Sequence, residues 1–195
     1  MDNYSFVGLD IETTNLNLVD CGVIELSILK LSDGEQKTWC LKPFETDYID
    51  TAALRVNGHK LEDILHQTKE GRERYLDPHK VIVEVENWLA LDDCPAEKRC
   101  IIAQNGSFDK DRLEQLWTKC GSKDTFPFGR RYIDTMIVEL FFDYAKGEFA
   151  DNYSLKNITK KYGITNSKAH SAASDTIAMK EVFLKQVEYF KKLLK

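Results

Sequence analysis

The leading part of the chain carries runs of apolar, β-compatible residues, and farther along the apolar positions recur at helical spacing. Tyr4 to Thr13 and Gly22 to Leu31 read as strands. Gln36 to Pro43 follows the Ser32-Asp33-Gly34 turn and completes a hairpin. Arg99 to Gln104 is a short run suited to a buried strand, and Arg131 to Ile133 makes a brief fifth. Helices interleave with these later strands. His79 to Leu91 places Val81, Val85, Trp88 and Leu89 along one stripe. Ser107 to Cys120 presents Leu113, Leu116, Trp117 and Cys120, with Gly121 just beyond its end. Thr135 to Lys146 begins behind Asp134 as N-cap and stops before Gly147. A short helix after Ser154 carries Leu155, Ile158 and Tyr162 and ends at Gly163. From about Ala172 to the end runs a long helix with Met179, Val182, Phe183, Gln186 and Phe190 near one face. Three leading strands followed by alternating strands and helices predict an α/β sandwich around a mixed sheet.

The 195 residues suit a single domain over 1–195, since a chain of this size buries roughly 70% of its unfolded surface. A hydrophobic share of 43% with 11% aromatics excludes a disordered chain. No apolar run reaches the length of a membrane span, so no membrane partner is expected. The opening Met1-Asp-Asn-Tyr-Ser-Phe lacks the basic and apolar regions of a secretory signal. Cys21, Cys40, Cys94, Cys100 and Cys120 are an odd set without C-x-x-C spacing, which predicts reduced thiols and a cytoplasmic protein. A net charge of −5 runs against a nucleic-acid partner, but local charge decides more than the sum. Basic residues gather at Arg130, Arg131, Lys156, Lys160, Lys161 and Lys168. These positions fit a nucleic-acid surface and equally fit ordinary solvated helix faces.

Against that background five residues stand out. Asp10 and Glu12 lie in the run Val7 to Thr14, Asp109 in Ala103-Gln-Asn-Gly-Ser-Phe-Asp109, and His170 with Asp175 in Ala169 to Thr176. Residues two apart on a strand share a face, so Asp10 and Glu12 are neighbours while Ile11 points away. Asp109 falls in the first turn of a helix at the end of a strand, a usual site location in α/β proteins. Asp109 and Asp175 also suit ordinary helix-dipole acids, and His170 alone suits a surface histidine. Taken together they imply chemistry, because two like charges about 4 Å apart repel by about 4 kcal/mol at an effective dielectric near 20. Four clustered carboxylates must protonate or bind cations, and hard oxygen donors select magnesium or manganese over zinc. A pair of such ions can activate water and stabilise the leaving oxygen of a phosphodiester. Imidazole suits the task of taking the water's proton.

Asp-Ile-Glu-Thr-Thr (10–14), Asn-Gly-Ser-Phe-Asp (105–109) and His-x-x-x-x-Asp (170–175), in this order, resemble the three motifs of the DEDDh 3′-to-5′ exonuclease family. That family includes the DNA polymerase III epsilon subunit and ribonuclease T. Arg55-Val-Asn-Gly58 resembles the family's loop before its first helix, Ile133-Asp-Thr135 its Asp-Thr helix start, and Ser154 to Ile158 its short helix before the third motif. The resemblance implies a ribonuclease H-like fold with a mixed five-stranded sheet flanked by helices. It implies that Asp10, Glu12, Asp109 and Asp175 hold two Mg2+ or Mn2+ ions, with His170 as general base. Thr13 and Leu16 correspond to residues that meet the terminal nucleotide, and Val56, Asn57, Asn105 and Phe108 also fall at substrate positions. The implied activity is 3′-to-5′ hydrolysis of nucleic acid, DNA favoured, to nucleoside 5′-monophosphates. RNA as substrate is the alternative, and a non-catalytic binding module on the same fold is a second. The partners implied are single-stranded or frayed 3′ ends, with polymerase association and a homodimer both compatible. Two departures stand out: Asn15 replaces the family's usual Gly, a residue that tolerates positive φ, and Gln104 replaces a common histidine.

Overall fold

The computed structural model describes residues 4–194. Its centre is a six-stranded mixed sheet in the order β4-β3-β2-β1-β5-β6. The strands are β1 (Ser5–Thr13), β2 (Val23–Lys30), β3 (Gln36–Leu41), β4 (Tyr75–Leu76), β5 (Arg99–Ala103) and β6 (Tyr132–Asp134). Antiparallel pairing joins β1 to β2 and β2 to β3, whereas β5 runs parallel to β1 and β6 parallel to β5. The helices are α1 (Thr51–Asn57), α2 (Leu61–Ile64), α3 (Lys69–Arg74), α4 (Pro78–Ala90), α5 (Gly106–Lys119), α6 (Thr135–Lys146), α7 (Leu155–Tyr162) and α8 (Ala172–Leu193).

Strand periodicity decides which face does what. Val7, Leu9 and Ile11 of β1 bury with Leu26, Ile28, Trp39, Leu41 and Ile101 against Val81, Val85 and Trp88 of α4 and Leu113, Leu116 and Trp117 of α5. Full burial of one such aliphatic side chain is worth about 1.5–3 kcal/mol. The alternate residues Gly8, Asp10 and Glu12 therefore turn to the opposite face, which α8 crosses. Gly8 permits the crossing. A Cβ there would lie 3.1 Å from Met179 and 3.4 Å from Thr176, so the missing side chain lets α8 settle onto β1 one step from Asp10.

The expected α/β sandwich, the hairpin and the later helices are present, with β4 as a sixth strand. It is two residues long and pairs in parallel with the edge of β3. The stretch 51–74 folds as three short helices, and this corrects one expectation. Arg55 to Asn57 are the last turn of α1 rather than a loop, with Gly58 closing it at φ 73. Lys161 also leaves the expected basic surface. Its ammonium, itself partly exposed, lies 2.7 Å from Glu139 and 2.5 Å from Asp143, two buried carboxylates of α6, so its charge is paired within the molecule. All five cysteines are free thiols. No helix of the described residues is long and apolar enough to cross a membrane.

Candidate active site

Asp10 and Glu12 from β1 meet Asp175 from the first turn of α8, each offering an oxygen within 4.8 Å of the others. Burial pushes the Asp10 carboxyl well above the usual range, and Asp109, Asp175, Glu12 and Glu25 push it farther. Glu12 is raised to about 7, first by burial and then by Asp175 and Glu25. Asp109 stands slightly apart from the trio. It is buried in the first turn of α5 and accepts the Ile11 backbone N–H at 3.2 Å, which fastens α5 to β1 between the other two acids. Burial lifts it to about 8 against the pull of that hydrogen bond and of Arg112. The principal charged neighbours of Asp10 are thus acids. Such a cluster holds protons at neutral pH or holds a dication, and the adjacent hard oxygens fit divalent metal.

The segment before α8 supplies the histidine. Asp175 Oδ1 accepts from the Asn166 side chain and Oδ2 from the His170 backbone N–H at 3.1 Å. Ser174 Oγ donates to Asn166 Oδ1 at 2.7 Å. These bonds close the loop and hold His170 in left-handed backbone, φ 64, with its residue exposed. Ser171 is the N-cap position, and its side chain caps nothing. It donates to Glu25 instead, at 3.4 Å.

Glu25 was not among the residues expected at the site. It pairs in register with Glu12 across β1 and β2. Its Oε2 lies 3.1 Å from His59 Nε2, and His59 Nδ1 lies 2.6 Å from the Tyr75 hydroxyl. Burial alone would raise Glu25, but His59, the Ala173 N–H and Arg74 outweigh it and hold the carboxyl below its ordinary value. Glu25 is therefore an anion with hydrogen-bond partners of its own, and from the neighbouring strand its charge raises Asp10 and Glu12. Strand register alone creates that neighbour, and the register is not written in the local sequence.

A cleft of about 420 Å3 opens beside the acids, lined by Glu12, Thr13, Leu16, Val56, Asn57, Phe108 and His170 among others. Leu16 is 79% exposed and Val56 61% exposed, so neither is a core residue. Phe108 serves both sides, leaning on the core while facing the cleft. Asn57 donates to the Thr13 carbonyl at 3.1 Å and ties α1 to the end of β1. Asn105 lies elsewhere. It begins α5 at φ 62 and faces a separate hollow with Gln104, Met136, Tyr153 and Ser154. Its N–H and that of Gly106 are held by the two oxygens of Asp134. Gln104 bridges Thr135 Oγ1 and the Tyr153 carbonyl, each at 2.6 Å.

Asn15 corrects another expectation. It is buried and is not among the residues with positive φ. Its amide donates to the carbonyls of Tyr48 and Asp20 and accepts from Asn17 N–H, so side-chain bonds hold the turn.

A ribonuclease H-like sheet whose central strand brings two carboxylates to a third on the closing helix defines the metal-dependent nuclease class. Residues 7–183 match the RNase T exonuclease family model, and the chain belongs to that family of DEDD-type exonucleases. It is 29% identical over 98% of its length to a DNA polymerase III PolC-type of Thermotoga petrophila, and 25% identical over 97% to one of Staphylococcus haemolyticus. In each case it spans only 12% of the relative. The fold is similar to Escherichia coli exonuclease I in a single-stranded DNA complex, with TM-score 0.73 at 16% identity over 94% of this chain and 40% of that one. It is also similar to cell-death related nuclease 4, with TM-score 0.74 at 17% identity over 96% and 65%.

Proposed function

We propose that this chain is a 3′-to-5′ exonuclease that shortens single-stranded or frayed DNA by one nucleoside 5′-monophosphate at a time. The observation that carries this reading is the acidic trio of Asp10, Glu12 and Asp175, whose member Glu12 lines the cleft that also holds His170, Leu16 and Phe108. Asp10, Glu12, Asp109 and Asp175 would hold two magnesium or manganese ions, which when bound supply Lewis-acid charge at the scissile phosphate. His170 accepts the proton of the attacking water at an imidazole nitrogen as the water oxygen bonds to phosphorus. The 3′ oxygen of the penultimate nucleotide leaves and is protonated, regenerating a 3′-hydroxyl end. Thr13, Leu16, Val56, Asn57 and Phe108 line the space taken by the terminal nucleotide, whereas Asn105, in its separate hollow, is given no contact with it. DNA is favoured because the named relatives are DNA polymerases and the exonuclease I complex contains single-stranded DNA. The same relatives support work beside a polymerase.

A 5′-labelled single-stranded oligonucleotide incubated with manganese tests this directly. Stepwise loss from the 3′ end is expected, arrested by chelator and by Asp10→Asn, and faster on DNA than on a matched RNA. Absence of any metal-dependent shortening would rule the assignment out.

A further inference from the structure

Arg112 sits on α5 one turn beyond Phe108 and is only 7% exposed. Its guanidinium carbon lies 3.5 Å from the centroid of the Phe108 ring. One nitrogen, Nη1, donates to the Phe108 carbonyl at 3.1 Å, and Nη2 donates to the carbonyl of Leu16. One buried cation therefore touches two residues that line the cleft, Phe108 four positions before it and Leu16 96 positions before it. It is not the only tie between these segments. Gln115 Nε2 donates to the Val19 carbonyl at 2.8 Å, and Lys119 Nζ to the Cys21 carbonyl at 3.1 Å. Residues 112, 115 and 119 share one face of the helix, so α5 offers a stripe of donors to the irregular segment after β1. Only Arg112 in that stripe also covers Phe108.

We propose that Arg112 is a positioning residue that sets the grip on the 3′-terminal base. This rests on the reading that the cleft receives the terminal nucleotide. No strand or helix holds Leu16, so its placement depends on carbonyl anchors such as the bond from Arg112. Phe108 is presented with one ring face against the guanidinium, which leaves the other to stack on a base; cation–aromatic and base–aromatic contacts both use these faces. A planar fork can stack and donate at once, and a lysine cannot reproduce that pair of contacts. A merely structural arginine would affect every ligand of the cleft alike. A positioning residue for the base affects only ligands that carry one.

The test compares two oligonucleotides that differ at the 3′ end, one terminating in 2-aminopurine and one in an abasic sugar. Binding is measured in calcium so that the readout does not depend on cleavage. The wild-type chain is expected to prefer the base-bearing end and to quench its fluorescence. Arg112→Lys should reduce that preference about tenfold, equivalent to ~1.4 kcal/mol, and weaken the quenching. Phe108→Leu should do the same, and the double variant should lose less than the sum of the two. Gln115→Ala, which loosens the segment without touching Phe108, should leave the preference in place. Arg112→Gln, with a thermal melt of each variant, covers the case in which the lysine variant does not fold. An unchanged preference and quenching in a folded Arg112 variant overturns the proposal, as does full additivity with Phe108→Leu or a wild-type chain indifferent to the base. Strand shortening by the wild-type chain in manganese, run alongside, tests the exonuclease reading separately.

Discussion

At the scale of single residues, His170 is the position where backbone and function conflict most. A non-glycine residue in left-handed backbone costs free energy that the surroundings must offset. Here the offset is visible in the bond from His170 N–H to Asp175 and in the Asn166 and Ser174 bonds behind it. The loop therefore fixes where the imidazole emerges while leaving the residue exposed to the cleft. Replacing His170 with alanine keeps those backbone bonds. It should slow strand shortening by about 10²–10⁴-fold, the usual contribution of a general base, with little change in the melting temperature. A variant that cuts at the wild-type rate would remove the base assignment. The meeting of Asp10, Glu12 and Asp175 was legible in the sequence, because each acid sits in a short local context with its own periodicity; Asp109 and His170 were singled out in the same way. Glu25, His59 and Arg112 were not. Glu25 joins the site through cross-strand register, and His59 reaches it from beyond α1. Arg112 did carry a local signal, since it follows Phe108 by one helical turn, but the Leu16 partner that gives it meaning is distant in the chain.

At the scale of elements, the long periodic segments were predictable, as were the short α7 and β6, whereas α1, α2 and α3 were not. α4, α5, α6 and α8 each span three or more turns with caps or stripes that match their sequence. α1, α2 and α3 have four to seven residues each, below the length at which a helix is stable by itself. They form because Leu54, Ile64 and Tyr75 bury together with Ile24 in a second cluster. Gly71 shows how tight that packing is, since a Cβ would fall 2.2 Å from the Asp63 carbonyl oxygen. The junction of α6, α7 and α8 is polar by contrast. Tyr162 and Gln186 both donate to Glu139, and Lys161 joins Glu139 to Asp143. Helix α7 leads into the loop that carries Asn166 and His170, so this network supports the site from behind. Breaking a buried ion pair by removing one partner usually costs about 3–5 kcal/mol. The Lys161 side chain is 39% exposed, and solvent screening lowers that figure. Lys161→Met should therefore destabilise the fold by about 2 kcal/mol in chemical denaturation, and an unaltered midpoint would show that the network contributes no net stability.

At the scale of the whole molecule, one face of the sheet builds the core and the other gathers charge. The apolar face joins α4 and α5 through the residues that close-pack. The opposite face carries Asp10, Glu12 and Glu25 under the N-terminus of α8. Folding thus concentrates acids that the unfolded chain would keep apart, and stability must depend on what neutralises them. Glu12 at about 7 and Asp109 at about 8 bind protons more tightly folded than unfolded, where carboxyls titrate near ~4. Between those values the folded state holds more protons, so stability of the metal-free protein declines as pH rises. Their protonated contribution is complete below about 4 and is lost once the pH has passed through about 7 to 8. A divalent cation acts in the opposite sense because it binds the ionised acids and competes with protons. At a concentration near 100 times its dissociation constant it would add ~2.7 kcal/mol, or roughly 5–10 °C for a chain of this size. Melting curves should accordingly fall from pH 5 to pH 8 in chelator, and manganese should raise the melting temperature strongly at pH 8 and weakly at pH 5. In Asp10→Asn/Glu12→Gln both the slope and the cation effect should shrink. A metal-free profile that is flat across this range, or a cation shift of equal size at both pH values, would mean that these carboxyls do not form a shared site for charge.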